Sequence, residues 1–169
     1  MPAISLSCPL QAALLISPWI SFATASQSFR SNAPSDYITT ETIGYAIRAY
    51  VGSEFKDDSY AQPIKASIAD WGKVVRGVVG EMMVWTGGGE ILLDEISTFA
   101  SMVEKALSEH EAGAGARVAD SHTDSENRLK FVVTEKASHE KMILDRFFLR
   151  EKKGHGRVDV ESWLKQVIA

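Results

Sequence analysis

The stretch Glu81-Met82-Met83-Val84-Trp85-Thr86-Gly87-Gly88-Gly89-Glu90 decides how this chain is read. A short apolar run that stops at glycine predicts a buried strand over residues 81–86. Three glycines let the backbone turn sharply. From Glu90 to about His110 the pattern changes to a helical one. Leu92, Ile96, Phe99, Ala100, Val103 and Leu107 recur at helical spacing and make one apolar stripe. The unit is strand, tight turn, helix, with a carboxylate at the helix start.

Working towards the N-terminus, Ala66–Val75 reads as a short helix and residues 54–63 as a charged turn. Thr39 or Thr40 caps a helix running to Val51, with Ile43, Ala46, Ile47 and Tyr50 on one face and Gly52 as its stop. The Ser- and Asn-rich segment from Ser21 to Tyr37 reads as a loop. Ala12–Ile16 is apolar on both faces, as a parallel strand covered by helices is. Pro9 and Pro18 bracket it, and no Lys or Arg precedes Arg30. The run therefore reads as a strand rather than as a cleaved signal or a membrane span.

Towards the C-terminus, residues 111–128 are polar and form an insertion longer than the usual connection of about 2–6 residues. Leu129–Thr134 is the third strand. Ser138-His139 follows, then a helix over Lys141–Leu149, and an amphipathic terminal helix over 158–168 carrying Val160, Trp163, Leu164, Val167 and Ile168. Strands alternating with helices predict an α/β fold with about three parallel strands and flanking helices. The absence of a crossover helix before the first strand makes it resemble a sheet cut part-way through.

Composition excludes several classes. The chain has 169 residues, a net charge of −4, 45% hydrophobic and 24% charged residues, which describe an ordinary globular protein without general attraction to nucleic acid. One cysteine, Cys8, rules out a disulfide framework and a cysteine-based zinc site, and reads as a buried or incidental residue. His110, His122 and His155 lie in polar segments and show no metal spacing. Arg146, Arg150, Lys152, Lys153 and Arg157 form a basic run that reads as a solvated helix end. No compartment is assigned, and a membrane-surface role for the terminal helix is open but not indicated.

In α/β sheets functional groups gather beyond the carboxyl ends of the strands. Glu90 follows the second strand and His139 the third. If those strands are neighbours, about 5 Å apart, carboxylate and imidazole can meet. A carboxylate holding one ring nitrogen fixes the tautomer and stabilises the imidazolium formed at the other. That is the acid–base half of a nucleophilic triad. The sequence contains neither the G-x-S-x-G elbow nor a His-Gly-Gly stretch for an oxyanion hole.

Several segments resemble the hormone-sensitive-lipase-like branch of the α/β-hydrolases, fungal type, in order and spacing. They are Ala13-Leu14-Leu15-Ile16-Ser17-Pro18-Trp19, then Ser28-Phe29-Arg30-Ser31-Asn32 and Ser35-Asp36-Tyr37-Ile38. Tyr60, Pro63 and Trp71 follow, then Trp85 to Glu95, and Ser138-His139-Glu140. The resemblance covers most of residues 11–150. It implies that 1–169 is the C-terminal part of such a domain, with Glu90 as catalytic acid and His139 as base. Asp94 matches a second acidic position outside the triad.

It further implies a carboxylic-ester hydrolase using a serine nucleophile from a segment this sequence lacks. The substrate would be a small-molecule ester, with no metal or organic cofactor and no nucleic-acid partner. Two rivals stay open. One is a catalytically inactive half-domain acting as an interaction module. The other is a nucleotide- or adenosyl-methionine-dependent transferase using the triple-glycine turn, against which Leu92 breaks G-x-G-x-x-G and Glu90 would repel a phosphate. An exposed sheet edge predicts self-association.

Overall fold

The computed structural model describes residues 8–52, 58–113, 128–148 and 155–168. Three strands, β1 (Leu10–Ile16), β2 (Val79–Gly87) and β3 (Leu129–Thr134), form one sheet in the order β1-β2-β3. Both pairings are parallel, with Ile16 opposite Trp85 and Gly87 opposite Thr134. Six α-helices are described: α1 (Gln27–Ser31), α2 (Thr40–Val51), α3 (Ile68–Gly77), α4 (Leu93–Gly113), α5 (Lys141–Phe147) and α6 (His155–Ile168). A 3-10 turn spans Pro63–Lys65.

The two-residue period of the central strand sorts the core into two layers. Met82 and Val84 join a cluster with Val75 of α3 and with Ile96, Phe99 and Val103 of α4. Met83 and Trp85 face the other way, onto Val160, Trp163 and Val167 of α6. With helices on both faces the strand has no solvated side, and Met83, Val84, Trp85 and Thr86 are almost wholly buried. The stripe expected on α4 is the buried one, and Phe99 meets the Trp71 ring edge-on at 4.9 Å. The flanking strands are less covered. Leu10 is 52% exposed on one edge, and Phe131 and Val133 are exposed on the other.

Several boundaries move from those the sequence predicts. β1 starts at Leu10 and β2 runs from Val79 through Gly87, because the ladder continues past the apolar runs. α3 starts at Ile68, since Ser67 is its cap and accepts the Asp70 amide at 3.1 Å. α4 begins at Leu93, which leaves Glu90 in the turn before it, and it continues to Gly113. The rest of the predicted insertion, 114–127, lies outside the described residues. α6 begins at His155, ahead of the expected 158. The segment read wholly as loop contains α1, with Phe29 buried in the core. Tyr50, placed on the apolar face of α2, is 66% exposed. Cys8 is exposed rather than buried. Among the described residues no helix is long and apolar enough to cross a membrane.

Candidate active site

β2 delivers Glu90 through a turn that only glycine can make at its first position. A Cβ on Gly87 would lie 2.2 Å from the Ala137 carbonyl oxygen. The glycine amides are all engaged within the protein. Gly87 N donates to Glu90 Oε1 at 2.7 Å. Gly88 N donates to the Thr134 carbonyl and Gly89 N to the Ala137 carbonyl, both at 2.8 Å. No amide of the turn is left to bind a phosphate, which argues against the nucleotide-site reading.

The Glu90 side chain has no solvent exposure, so its charge must be met inside the protein. Oε1 accepts from the Ser17 hydroxyl at 3.1 Å, the Thr86 hydroxyl and the Gly87 amide. Oε2 faces His139 Nδ1 at 2.9 Å. With the Nδ1 proton donated to that carboxylate, Nε2 is the nitrogen available to take a proton. The imidazole is 12% exposed. The structure thus brings together the two residues singled out as acid and base.

His139 is carried just beyond β3. Lys136 (φ 57°) and Glu140 (φ 49°) are left-handed on either side of it, and Ser17, at the end of β1, has φ 43°. Non-glycine residues held this way cost about 1–3 kcal/mol each and tend to gather at functional sites. Tyr37 stands edge-on to the imidazole, with ring centroids 5.9 Å apart, and is half exposed. Partial burial, and then the nearby carboxylates Glu140, Asp36 and Glu90, raise its phenol above the ordinary value.

Asp94 does not join the pair. Its carboxylate accepts the Ser28 amide at 2.8 Å and so anchors the start of α1. Beside it Glu95 accepts from Ser26, and burial raises its carboxyl above the ordinary range. The segment between α1 and α2 wraps the glycine turn. Asn32 Nδ2 donates to the carbonyls of Gly88 and Glu90, and the Ser35 hydroxyl donates to that of Gly89. Asp36 accepts the amides of Ile91 at 2.8 Å and His139 at 3.3 Å. The sequence alone gives Ser17, Asn32, Ser35, Asp36 and Thr86 no such role. Their signal is a place in the segments that resemble the family and, for Ser17, Asn32, Ser35 and Asp36, a short polar side chain outside the strands, where backbone groups need partners.

The side chains of His110 and His155, all of His122, and Arg150, Lys152 and Lys153 of the basic run lie outside the described residues. Arg157 pairs with Glu161 at 2.7 Å. Among the described residues no cluster of His, Cys, Asp and Glu could hold a metal ion.

A parallel sheet clothed on both faces, with carboxylate and imidazole meeting beyond adjacent strand ends, defines an α/β protein of the hydrolase type. A family profile described as the alpha/beta hydrolase fold matches residues 3–118, a span that includes Glu90 and stops before His139. The chain belongs to that family.

Among curated proteins it is 31% identical over 94 residues to "Putative steryl acetyl hydrolase mug81" of Schizosaccharomyces pombe, a match covering 53% of this chain and 25% of that protein. Its fold is shared with solved esterases. One is from the bacterial hormone-sensitive lipase family (TM-score 0.56, 20% identity, 78% of this chain and 36% of that one). Another is a hormone-sensitive lipase from a metagenome library (TM-score 0.58, 18% identity, 82% and 39%). A third is a thermostable esterase from Pseudomonas putida ECU1011 (TM-score 0.58, 17% identity, 79% and 35%). The chain therefore spans a quarter of the curated relative and little over a third of these structures.

Proposed function

We propose that this chain supplies the acid–base half of a serine carboxylic-ester hydrolase, with Glu90 and His139 as its catalytic pair. The observation that carries the reading is the buried 2.9 Å contact between Glu90 Oε2 and His139 Nδ1. The sequence has no G-x-S-x-G, so the serine and its oxyanion hole would come from a segment outside it.

The serine hydroxyl attacks the ester carbonyl as His139 Nε2 takes its proton. Glu90 accepts the Nδ1–H hydrogen bond throughout, the proton staying on the ring, and stabilises the imidazolium. The imidazolium then protonates the departing alcohol, leaving an acyl-serine. Water repeats the sequence: its oxygen attacks the acyl carbon as His139 takes its proton, the bond from that carbon to the serine oxygen breaks, the carboxylic acid leaves, and the proton returns to the serine. Such chemistry needs no metal or organic cofactor. The name of the yeast relative makes acetate esters of a bulky alcohol the first substrates to try.

The test is a fusion carrying the serine-bearing segment of a hormone-sensitive-lipase-type esterase ahead of residue 8, assayed with an aryl acetate. Hydrolysis should need both the added serine and His139. It should fall about 10²–10⁴-fold in His139→Ala, the usual contribution of a general base. A folded, active fusion that is indifferent to His139→Ala would defeat the proposal.

A further inference from the structure

We propose that Asp36 and Ser17 are positioning residues for the Glu90–His139 pair, a role that rests on the hydrolase reading given above. Each lies outside the two loops that carry the pair, and each ties one loop to the other. Asp36 Oδ2 accepts the Ile91 amide at 2.8 Å while Oδ1 accepts the His139 amide at 3.3 Å. The Ser17 hydroxyl donates to Glu90 Oε1 at 3.1 Å and accepts the Glu140 amide at 3.1 Å. The two ties thus take hold of four adjoining residues, 90 and 91 on the acid side, 139 and 140 on the histidine side.

These ties act where the sheet no longer does. The β2–β3 ladder ends with Gly87 opposite Thr134. Past it the loops are joined by Gly88 N to the Thr134 carbonyl and Gly89 N to the Ala137 carbonyl. Beyond those bonds, among the described residues, only the Glu90–His139 contact and the Ser17 and Asp36 ties hydrogen-bond the two loops to each other. A carboxylate with two oxygens can receive two amides from different segments, which a neutral short side chain cannot do equally well. Ser17 is itself fixed, being 3% exposed and left-handed at φ 43° at the end of β1. β1, β2 and β3 thereby converge on one hydrogen-bonded pair. An imidazole free to swing would donate to the carboxylate only part of the time, and loss of orientation alone costs rate.

The test uses the 169-residue chain, labelled with 15N, and reads the imidazole of His139 in long-range 1H–15N spectra, assigned by its loss in His139→Ala. The wild type should show the Nδ1-protonated tautomer with a slowly exchanging Nδ1 proton, and Glu90→Gln should abolish that signature. If the wild type lacks it, or Glu90→Gln leaves it untouched, the pairing itself is absent, and the hydrolase reading and this proposal both fall.

With the signature present, Asp36→Asn and Ser17→Ala decide the proposal. Each should speed exchange of the Nδ1 proton about tenfold, the ratio one lost hydrogen bond supports, and shift the ring towards the Nε2 tautomer. The amide spectrum of β2 should stay unchanged, which a general loosening of the fold would not allow. Wild-type tautomer and exchange in either variant overturn the role of that residue while the hydrolase reading stands. If Asp36→Asn fails to fold, Asp36→Ser, which keeps an acceptor for one of the two amides, takes its place and is read in the same way, while Ser17→Ala, which removes one hydroxyl and keeps the backbone, decides the role of Ser17.

Discussion

Replacing Gly87 with alanine should injure fold and site together. The new Cβ would sit 2.2 Å from the Ala137 carbonyl oxygen, 2.7 Å from its carbon and 2.8 Å from the Ser138 carbonyl oxygen. All three atoms are backbone, so no side-chain rotation relieves the clash. To restore ordinary contact the segment at 137–138 must retreat by about 1.3 Å, since contacts settle near 3.5 Å and the shortest here is 2.2 Å. That segment carries His139, whose bond to Glu90 is 2.9 Å long and would be stretched out of range.

Overpacking of a tight site costs about 1–3 kcal/mol, and three rigid contacts place this case near the top, at roughly 3 kcal/mol. For a chain of this size that is a fall in Tm of about 6–12 °C. Gly77, the last residue of α3, is the control. A Cβ there meets nothing within 4 Å, so Gly77→Ala should be stabilising by about 0.5–1 kcal/mol. The assay is thermal unfolding followed by circular dichroism. A Gly87→Ala protein melting within about 2 °C of wild type, well below the overpacking range, would refute the reasoning.

Three further outcomes follow from the packing and charge. Phe99→Ala removes a ring that is 1% exposed and should cost about 3–5 kcal/mol in denaturant unfolding; a loss under about 1 kcal/mol would contradict the two-layer core. Burial holds the Glu95 carboxyl above its ordinary 4.5, so the folded state keeps the proton longer than the unfolded one. The resulting stability is full below about 4.5 and is lost as pH rises through the higher folded value, a decline that Glu95→Gln should remove. Parallel stability–pH curves for the two proteins would count against that assignment. Among the described residues β1 pairs on one side only, and its edge carries exposed Leu10. Sedimentation should show concentration-dependent association that Leu10→Lys weakens, whereas a monomer at every concentration would argue against a sticky edge.

The elements legible in the sequence are those whose residues encode them locally. Leu129–Thr134 is the third strand with the limits predicted for it, and α2 starts at the Thr39 cap and stops at Gly52. The stripe on α4 is equally plain because its period is helical and its neighbours are polar. α1 is another matter. Its five residues have no period to read, and it is held from afar by Asp94 on the Ser28 amide, by the Ser28 hydroxyl on the Ile91 carbonyl and by the buried Phe29 ring.

The site divides in the same way. Glu90 and His139 stand out because each follows a strand end. Ser17 and Asp36 act through bonds to residues 55 to 123 positions away, and no local pattern records such a partner. Glycine at 87 signals a turn in the sequence. That the turn lies against the histidine segment is visible only once β2 and β3 are neighbours.

The most direct measurement is a double-mutant cycle on the serine-completed fusion, comparing kcat for aryl acetate hydrolysis in Glu90→Gln, His139→Ala and the double variant. Residues that act as one unit lose rate non-additively. A coupled pair gives large losses in both single variants and a double variant no slower than His139→Ala alone. Losses that multiply in the double variant would mean that Glu90 and His139 work independently, and would contradict the catalytic pair.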